Sequence, residues 1–394
     1  MGDLEYDIKD NELTVRLSGH IDSTNSAETE QKITAICEEN PHNSLIIDCE
    51  KLTYISSAGL RVILKLSKNN SNTRLVNVSS EVYELFDMTG FTQILNIHKA
   101  FKTISVEGCE VIGRGANGLV YRTDPETVVK TFMDANALQD IERERELART
   151  AFVLGIPTAI SYDVVKIEGG GYGSVYELLK STNFSTLLSK GEKTVDEVAR
   201  ISVDLLKIIH SKEVNPGRIP SMRERGIEWA SFLKGFIPDD EYEKLNRLFS
   251  EIPEDNHMIH GDFHLKNIMY QDGEALLIDM DTICHGHPVF EFASIFNAYC
   301  GFSIVNHEEV KRFLGITHEQ ACELWEKILR LYFSDKNEAY VEQVRHKAMI
   351  IGFTRLIRRA IRRDGLNNDQ GRVFIESAKR RLSELLPTTD SLIF

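Results

Sequence analysis

The chain of 394 residues is long enough for two or three folding units, each able to bury a core. Its hydrophobic content of 42% is ordinary for globular protein, and a net charge of −14 argues against a general nucleic-acid-binding surface. There is no apolar N-terminal signal and no apolar stretch near the roughly eighteen residues of a membrane span, and six scattered cysteines suit a reducing cytosol rather than a disulfide framework, so the expected location is cytoplasmic.

From the N-terminus, Leu13, Val15 and Leu17 alternate as a strand, Ser44–Cys49 reads as a buried strand and Thr73–Val78 as a third. Helical segments separate them at Asn25–Glu38 and Ser57–Ser67. Asn25 with Glu28 has the form of a capping box, and Ser56 or Ser57 stands where the next helix would be capped. The pattern predicts a small α/β domain with helices covering a short sheet.

Within it, Y-I-S-S-A-G-L-R at Tyr54–Arg61, the loop G-H-I-D-S at Gly19–Ser23, L-I-I-D before them in the second strand, and L-F-D-M-T-G-F at Leu85–Phe91 form a set. This set resembles a STAS domain, the fold of anti-sigma factor antagonists, over about residues 4–103. The domain is assigned to 1–106. The resemblance implies a protein partner whose binding is switched by phosphorylation of a serine at the start of the helix before the glycine. Ser57 is the best match and Ser56 the second. Relatives often read D-S-S-G, whereas here Ser56 replaces the acid and Ala58 the second serine. A phosphate on Ser57 would meet free amides and a favourable helix dipole, with Asp22 repelling it nearby. Simple helix capping is the competing role for both serines.

The seam at Thr103–Glu110 is short and not rich in proline or serine. Beyond it, Val111–Tyr121 carries G-x-G-x-x-G-x-V through Gly113, Gly115, Gly118 and Val120. Apolar residues follow the last glycine and a second apolar run begins at Thr127, which gives strand, turn, strand rather than the strand-to-helix form of a dinucleotide fold. Such a hairpin covers nucleotide phosphates. Lys130, flanked by Val128, Val129 and Phe132, lies on the next strand and would reach the α- and β-phosphates. A helix follows from Ile141, and one of its acids should hold that lysine: Glu144 first, with Glu146 and Glu142 behind it. Ser174–Leu179 reads as a strand and connector, with backbone around Glu177 to Leu179 placed for an adenine edge.

The string H-G-D-F-H-L-K-N-I at His260–Ile268, followed by L-L-I-D-M-D at Leu276–Asp281, has phosphoryl-transfer spacing. Asp262 precedes Asn267 by five residues, as in a kinase catalytic loop. That chemistry needs a carboxylate at the attacking hydroxyl and oxygen ligands for the metal on the phosphates. Asp262 suits the first role, Asn267 and Asp279 the second. Five histidines between His257 and His287 raise zinc as an alternative, but Gly261 weakens a helix there, and neither H-E-x-x-H nor C-x-x-C is present.

From about Val106 onward the chain resembles the aminoglycoside phosphotransferase and choline kinase group, matched in its H-G-D-x-H-x-x-N loop by His260, Gly261, Asp262, His264 and Asn267. The resemblance implies an α+β, bilobal, protein-kinase-like fold: domain 107–394, with N-lobe 107–180 and helical C-lobe 181–394. It implies ATP- and Mg²⁺-dependent transfer to a hydroxyl, with Asp262 as base, Asn267 and Asp279 as magnesium ligands and Asp281 as a further acidic residue. Glu291 stands where many relatives have Asp, at a position that is mainly a structural anchor.

A basic run at Arg355–Arg363 interrupts the acidic balance, with Leu356, Ile357, Ala360 and Ile361 on one helical face. A docked helix with a solvated basic face is favoured over a docking surface for an anionic substrate or for the acidic N-terminal domain. The whole predicts a phosphotransferase acting on a small hydroxylated molecule, fused to a regulatory STAS domain. The alternative is a partner-switching protein whose kinase-like part senses nucleotide or phosphorylates Ser57.

Overall fold

The computed structural model describes residues 4–70, 72–114, 118–132, 134, 137–271 and 273–394. Its contacts divide the chain into two units: Met1–Cys109 with Thr131–Ala135 and Val164–Gly173, and Glu110–Lys130 with Asn136–Asp163 and Ser174–Phe394. The architecture is an α/β STAS-type sheet followed by an α+β kinase-like domain.

In the first unit, five strands lie in sequence order: Tyr6–Lys9, Glu12–Ile21, Ser44–Ile55, Arg74–Val78 and Asn96–Lys99. The first pair is antiparallel and turns at Asp10 and Asn11, whose φ of 53° and 67° suit a two-residue hairpin. The later pairs are parallel, with Leu13 beside Leu45 and Val15 beside Ile47. The alternation seen in the sequence is therefore the core face: Leu13, Val15, Leu17, Leu45 and Ile47 are buried. Helix Ser57–Asn69 packs its first turn very close to the sheet. A Cβ on Gly59 would stand 2.6 Å from Ile55 Cγ1 and 2.8 Å from Ile21 Cγ2, so the position excludes a side chain.

The caps correct one expectation and divide another. Asn25 forms no side-chain cap on helix Ser26–Glu39. Its Oδ1 accepts from the backbone N–H of Asp22 and its Nδ2 donates to the His20 carbonyl, so the amide closes the preceding loop instead. Ser56 caps the next helix, its Oγ accepting from Ala58 N at 3.2 Å and Gly59 N at 3.4 Å, while Ser57 is exposed. The seam itself carries a strand: Thr103–Ile104 pairs in parallel with Lys166–Ile167.

In the second unit, strands Tyr172–Glu177, Thr127–Phe132, Gly118–Arg122 and Glu110–Arg114 lie side by side in that order. The last two form the expected hairpin, with Gly113 opposite Val120. Helix Leu138–Val153 follows the strand that bears Lys130. The remainder is largely helical. Helix Val289–Tyr299 is buried along its whole length, and helices His318–Tyr332 and Glu338–Arg362 pack on it. Two short ladders fix the loops between: Ile268–Gln271 pairs with Glu274–Leu277, and Met258–Ile259 with Cys284–His285. Together they bring the His260–Asn267 loop beside the Asp279–Thr282 turn.

Candidate active site

Lys130 is the meeting point of three segments. Its Nζ donates to both Glu144 oxygens at 2.8 and 3.1 Å and to Asp279 Oδ1 at 2.8 Å. Tyr176 Oη donates to the same Glu144 at 3.2 Å. Burial alone lowers the lysine pKa, but the two carboxylates more than reverse this and hold the ammonium protonated well above its ordinary range. Of the three acids weighed on the helix, Glu144 is buried and paired, whereas Glu142 and Glu146 are exposed.

The catalytic-loop residues form the second part. Asn267 Nδ2 donates to the Asp262 carbonyl at 3.0 Å, so its Oδ1 is the amide's acceptor. Asp262 presents a partly exposed carboxylate, with His264 Nε2 3.5 Å from Oδ2. Burial raises the Asp262 pKa, yet the His264 hydrogen bond and the charges of His264, Arg355 and His260 outweigh it and bring it to about 2. The carboxylate is thus held ionised. Asp279 sits at φ 63°, ψ 61°, a left-handed conformation rare for Asp, which turns the chain sharply after its strand.

Beneath the loop lies Glu291, fully buried on helix Val289–Tyr299. Its Oε2 accepts from His260 N at 2.5 Å and its Oε1 from Gly261 N at 3.0 Å. His260 in turn links the two loops: its Nδ1 accepts from Asp262 N, and its Nε2 lies 3.3 Å from the Ile278 carbonyl, which assigns the proton to Nε2. Gly261 has φ 80°, and a Cβ there would stand 2.7 Å from the Thr282 carbonyl, so glycine is required.

Other expected residues fall as follows. Gly113 and Val120 face each other across the hairpin, and Gly118 opens its second strand. Gly115 lies outside the described residues. Glu177 is exposed at the strand end, Leu179 is half-buried beyond it, and the intervening Leu178 N–H is engaged by the Glu126 carbonyl at 2.7 Å. Asp281 stands among like charges. Burial first, then the Asp279 and Glu144 carboxylates, push its pKa up to about 7. Asp279 and Asp281 follow Ile278, whose N–H donates to the Asn267 carbonyl at 3.0 Å, and carboxylate and amide oxygens are the ligand type that Mg²⁺ takes, together with phosphate oxygens and water.

Three contributors went unread in the sequence. Tyr176 supports Glu144, Ser294 Oγ donates to the Gly261 carbonyl at 3.0 Å, and Arg355 Nη1 donates to the same carbonyl at 3.3 Å. None has a spacing signal, because each reaches the site from an element more than thirty residues away along the chain. Arg355 also corrects the expectation of a solvated basic face, since its guanidinium stacks over Trp229 and packs against the catalytic loop.

Comparison with known proteins bears on the family and the fold. Residues 3–104 match the STAS domain and residues 108–327 match the Phosphotransferase enzyme family. The N-terminal region is 31% identical over 98 residues to a Bordetella bronchiseptica protein named for an anti-sigma factor antagonist, BtrV, covering 24% of this chain and 84% of that one. It is 28% identical over 100 residues to the anti-sigma-B factor antagonist of Bacillus subtilis, covering 24% and 90%. A crystal structure of a thermostable mutant of the aminoglycoside phosphotransferase APH(4)-Ia, in a ternary complex with ADP and hygromycin B, shares the fold at a TM-score of 0.50 and 14% identity, covering 71% of this chain and 94% of that one. No helix among the described residues is long and apolar enough to cross a membrane. The chain belongs to the phosphotransferase enzyme family, joining an N-terminal STAS domain to an aminoglycoside phosphotransferase and choline kinase-like domain.

Proposed function

We propose that residues 107–394 catalyse ATP- and magnesium-dependent phosphoryl transfer to a hydroxyl of a small molecule, and that residues 1–106 regulate or recruit that activity. The observation that carries this reading is Lys130 held between Glu144 and Asp279 at 2.8 Å each. That arrangement ties strand Thr127–Phe132 and helix Leu138–Val153 to the Asp279 turn. Lys130 orients the α- and β-phosphates under the Gly113–Val120 hairpin, with Glu144 fixing its direction. Asp279 and Asn267 Oδ1 are the groups that would hold Mg²⁺, which when bound neutralises charge on the phosphates. The acceptor oxygen attacks the γ-phosphorus, the bond to the β–γ bridging oxygen breaks, and ADP leaves with the electron pair. Asp262 takes the hydroxyl proton, with His264 beside its carboxylate and His260 accepting from its backbone N–H. Use of ATP is supported by the ADP held by the APH(4)-Ia relative. Six free cysteines suit a reducing, cytoplasmic setting.

A second reading is favoured by one observation. Ser56 does the capping, and Ser57 is exposed at the helix start. In this reading the kinase-like domain phosphorylates Ser57 and a protein partner is exchanged. Both are tested by incubating the full chain with Mg-ATP and measuring ADP release and intact mass for wild type, Asp262→Asn and Ser57→Ala. Asp262-dependent ADP release that rises with a hydroxylated compound, without gain of mass, supports the small-molecule kinase. One added phosphate lost in both variants supports the switch. ADP release unchanged by Asp262→Asn refutes the assignment of the base.

A further inference from the structure

Helix Glu338–Arg362 presents Arg355 and Arg359, and Arg363 caps it. Successive members are four residues apart, so the three guanidinium stems advance along one side of the helix end over about 12 Å. Arg355 is packed against the catalytic loop: Nη1 lies 3.3 Å from the Gly261 carbonyl and 3.4 Å from Ser294 Oγ, and the guanidinium sits 5.3 Å from the Trp229 ring. Arg359 lies 5.0 Å from the Phe302 ring. Arg358, on another side, is paired with Glu228. Arg355, Arg359 and Arg363 form no ion pair with a carboxylate among the described residues.

Arg359 lies in the field of Arg363, Arg355 and Asp262. Burial first, then Arg363 and Arg355, lower the Arg359 pKa, while Asp262 opposes the shift. Burial likewise lowers that of Arg355, with the Asp262 charge as its main compensation. Guanidinium groups set close together are costly unless an anion joins them, and their planar donor forks match carboxylate or phosphate. Aromatic faces at Trp229 and Phe302 hold them in direction while leaving their outer N–H donors available. The acidic groups of the site, Asp279, Asp281 and Glu144, lie on the lysine side instead. Charge is therefore divided around Asp262.

We propose that the Arg355, Arg359 and Arg363 row is the acceptor-binding surface, and that the acceptor is a small hydroxylated anion, bearing a phosphate or carboxylate group, rather than a cationic amine. This rests on the phosphotransferase reading above. The anionic group docks on Arg359 and Arg363, Arg355 acts as a positioning residue beneath the loop, and the hydroxyl is delivered to Asp262. Its oxygen forms the new bond to the γ-phosphorus as ADP departs, and its proton passes to the Asp262 carboxylate.

The test uses the full chain and five probes: glycerol 3-phosphate, ribose 5-phosphate, glycerate, uncharged glycerol and the polycationic kanamycin. Calorimetric binding is measured on Asp262→Asn, which cannot turn over, and ADP release on wild type with Mg-ATP. The expected result is binding of one or more anionic probes, weakened about tenfold by Arg359→Gln or Arg363→Gln, with glycerol and kanamycin inert. Both arginines are exposed at the helix end, so unfolding midpoints should not move and the loss reads as binding. Binding of kanamycin with none of the anions, or anion binding indifferent to both substitutions, overturns the proposal. Absence of binding by every anionic probe does so too, as does Arg359-dependent transfer to Ser57 in place of a small molecule. Arginine-dependent anion binding without any Asp262-dependent ADP release refutes the phosphotransferase reading and leaves the anion site standing.

Discussion

Replacing Glu291 by Gln probes the support of the catalytic loop without changing side-chain volume. In the native arrangement each carboxylate oxygen accepts one buried backbone donor, from His260 and from Gly261. The carboxamide offers one oxygen and one NH₂, so one bond survives in neutral form and the other N–H faces a second donor. Losing a charge-assisted hydrogen bond costs about 1.5–3 kcal/mol and leaving a buried donor unsatisfied about 1–3 kcal/mol, which together give about 3–5 kcal/mol. No cavity contribution enters, because the shapes are alike. The assay is urea unfolding followed by tryptophan fluorescence. The two tryptophans of the chain, Trp229 and Trp325, both belong to the second unit, so the signal reports the unit that contains Glu291. Phosphoryl transfer should fall as well, since the same two amides set the course of the chain into Asp262. A variant within about 1 kcal/mol of wild type, with an unchanged dependence on urea, would refute the claim that the carboxylate braces the loop.

Lys130→Met should abolish nucleotide-dependent ADP release and destabilise the second unit by about 3–5 kcal/mol, because Glu144 is left buried without its cation. The double change with Glu144→Leu should regain part of the stability and none of the activity. The Asp281 pKa is raised to about 7, so the folded state holds that proton more tightly than the unfolded chain. Its contribution favours folding at low pH and is lost as pH rises from about 4 to about 7. Compared with wild type, Asp281→Asn should remove that slope from the urea midpoints, and an unaltered slope would count against the acidic cluster. In the STAS domain, Ser56→Ala should cost about 0.5–2 kcal/mol through loss of the cap, whereas Ser57→Ala should lie within a few tenths. Gly59→Ala should be worse than either, at about 1–3 kcal/mol for overpacking, and circular-dichroism melts would rank the three.

Much of this molecule is written locally. Alternation at Leu13, Val15 and Leu17, the glycines of the Val111–Tyr121 hairpin and the five-residue interval from Asp262 to Asn267 are short-range patterns, because a strand face, a tight turn and a loop each depend on neighbours in sequence. They identified both domains and the pairing of Lys130 with Glu144. Caps were less secure: Asn25 has the right residue type and position, but its amide is drawn to Asp22 and His20 across the loop. Whatever depends on convergence of distant elements could not be read that way. Glu291 under the loop, Tyr176 behind Glu144 and Arg355 against Gly261 have no periodicity linking them to their partners. The run Arg355–Arg363 illustrates the division: its sequence dictated an amphipathic helix rich in arginine, but only packing against Trp229, Phe302 and the Gly261 carbonyl decided which guanidinium groups meet a carboxylate and which lie against rings or the catalytic loop.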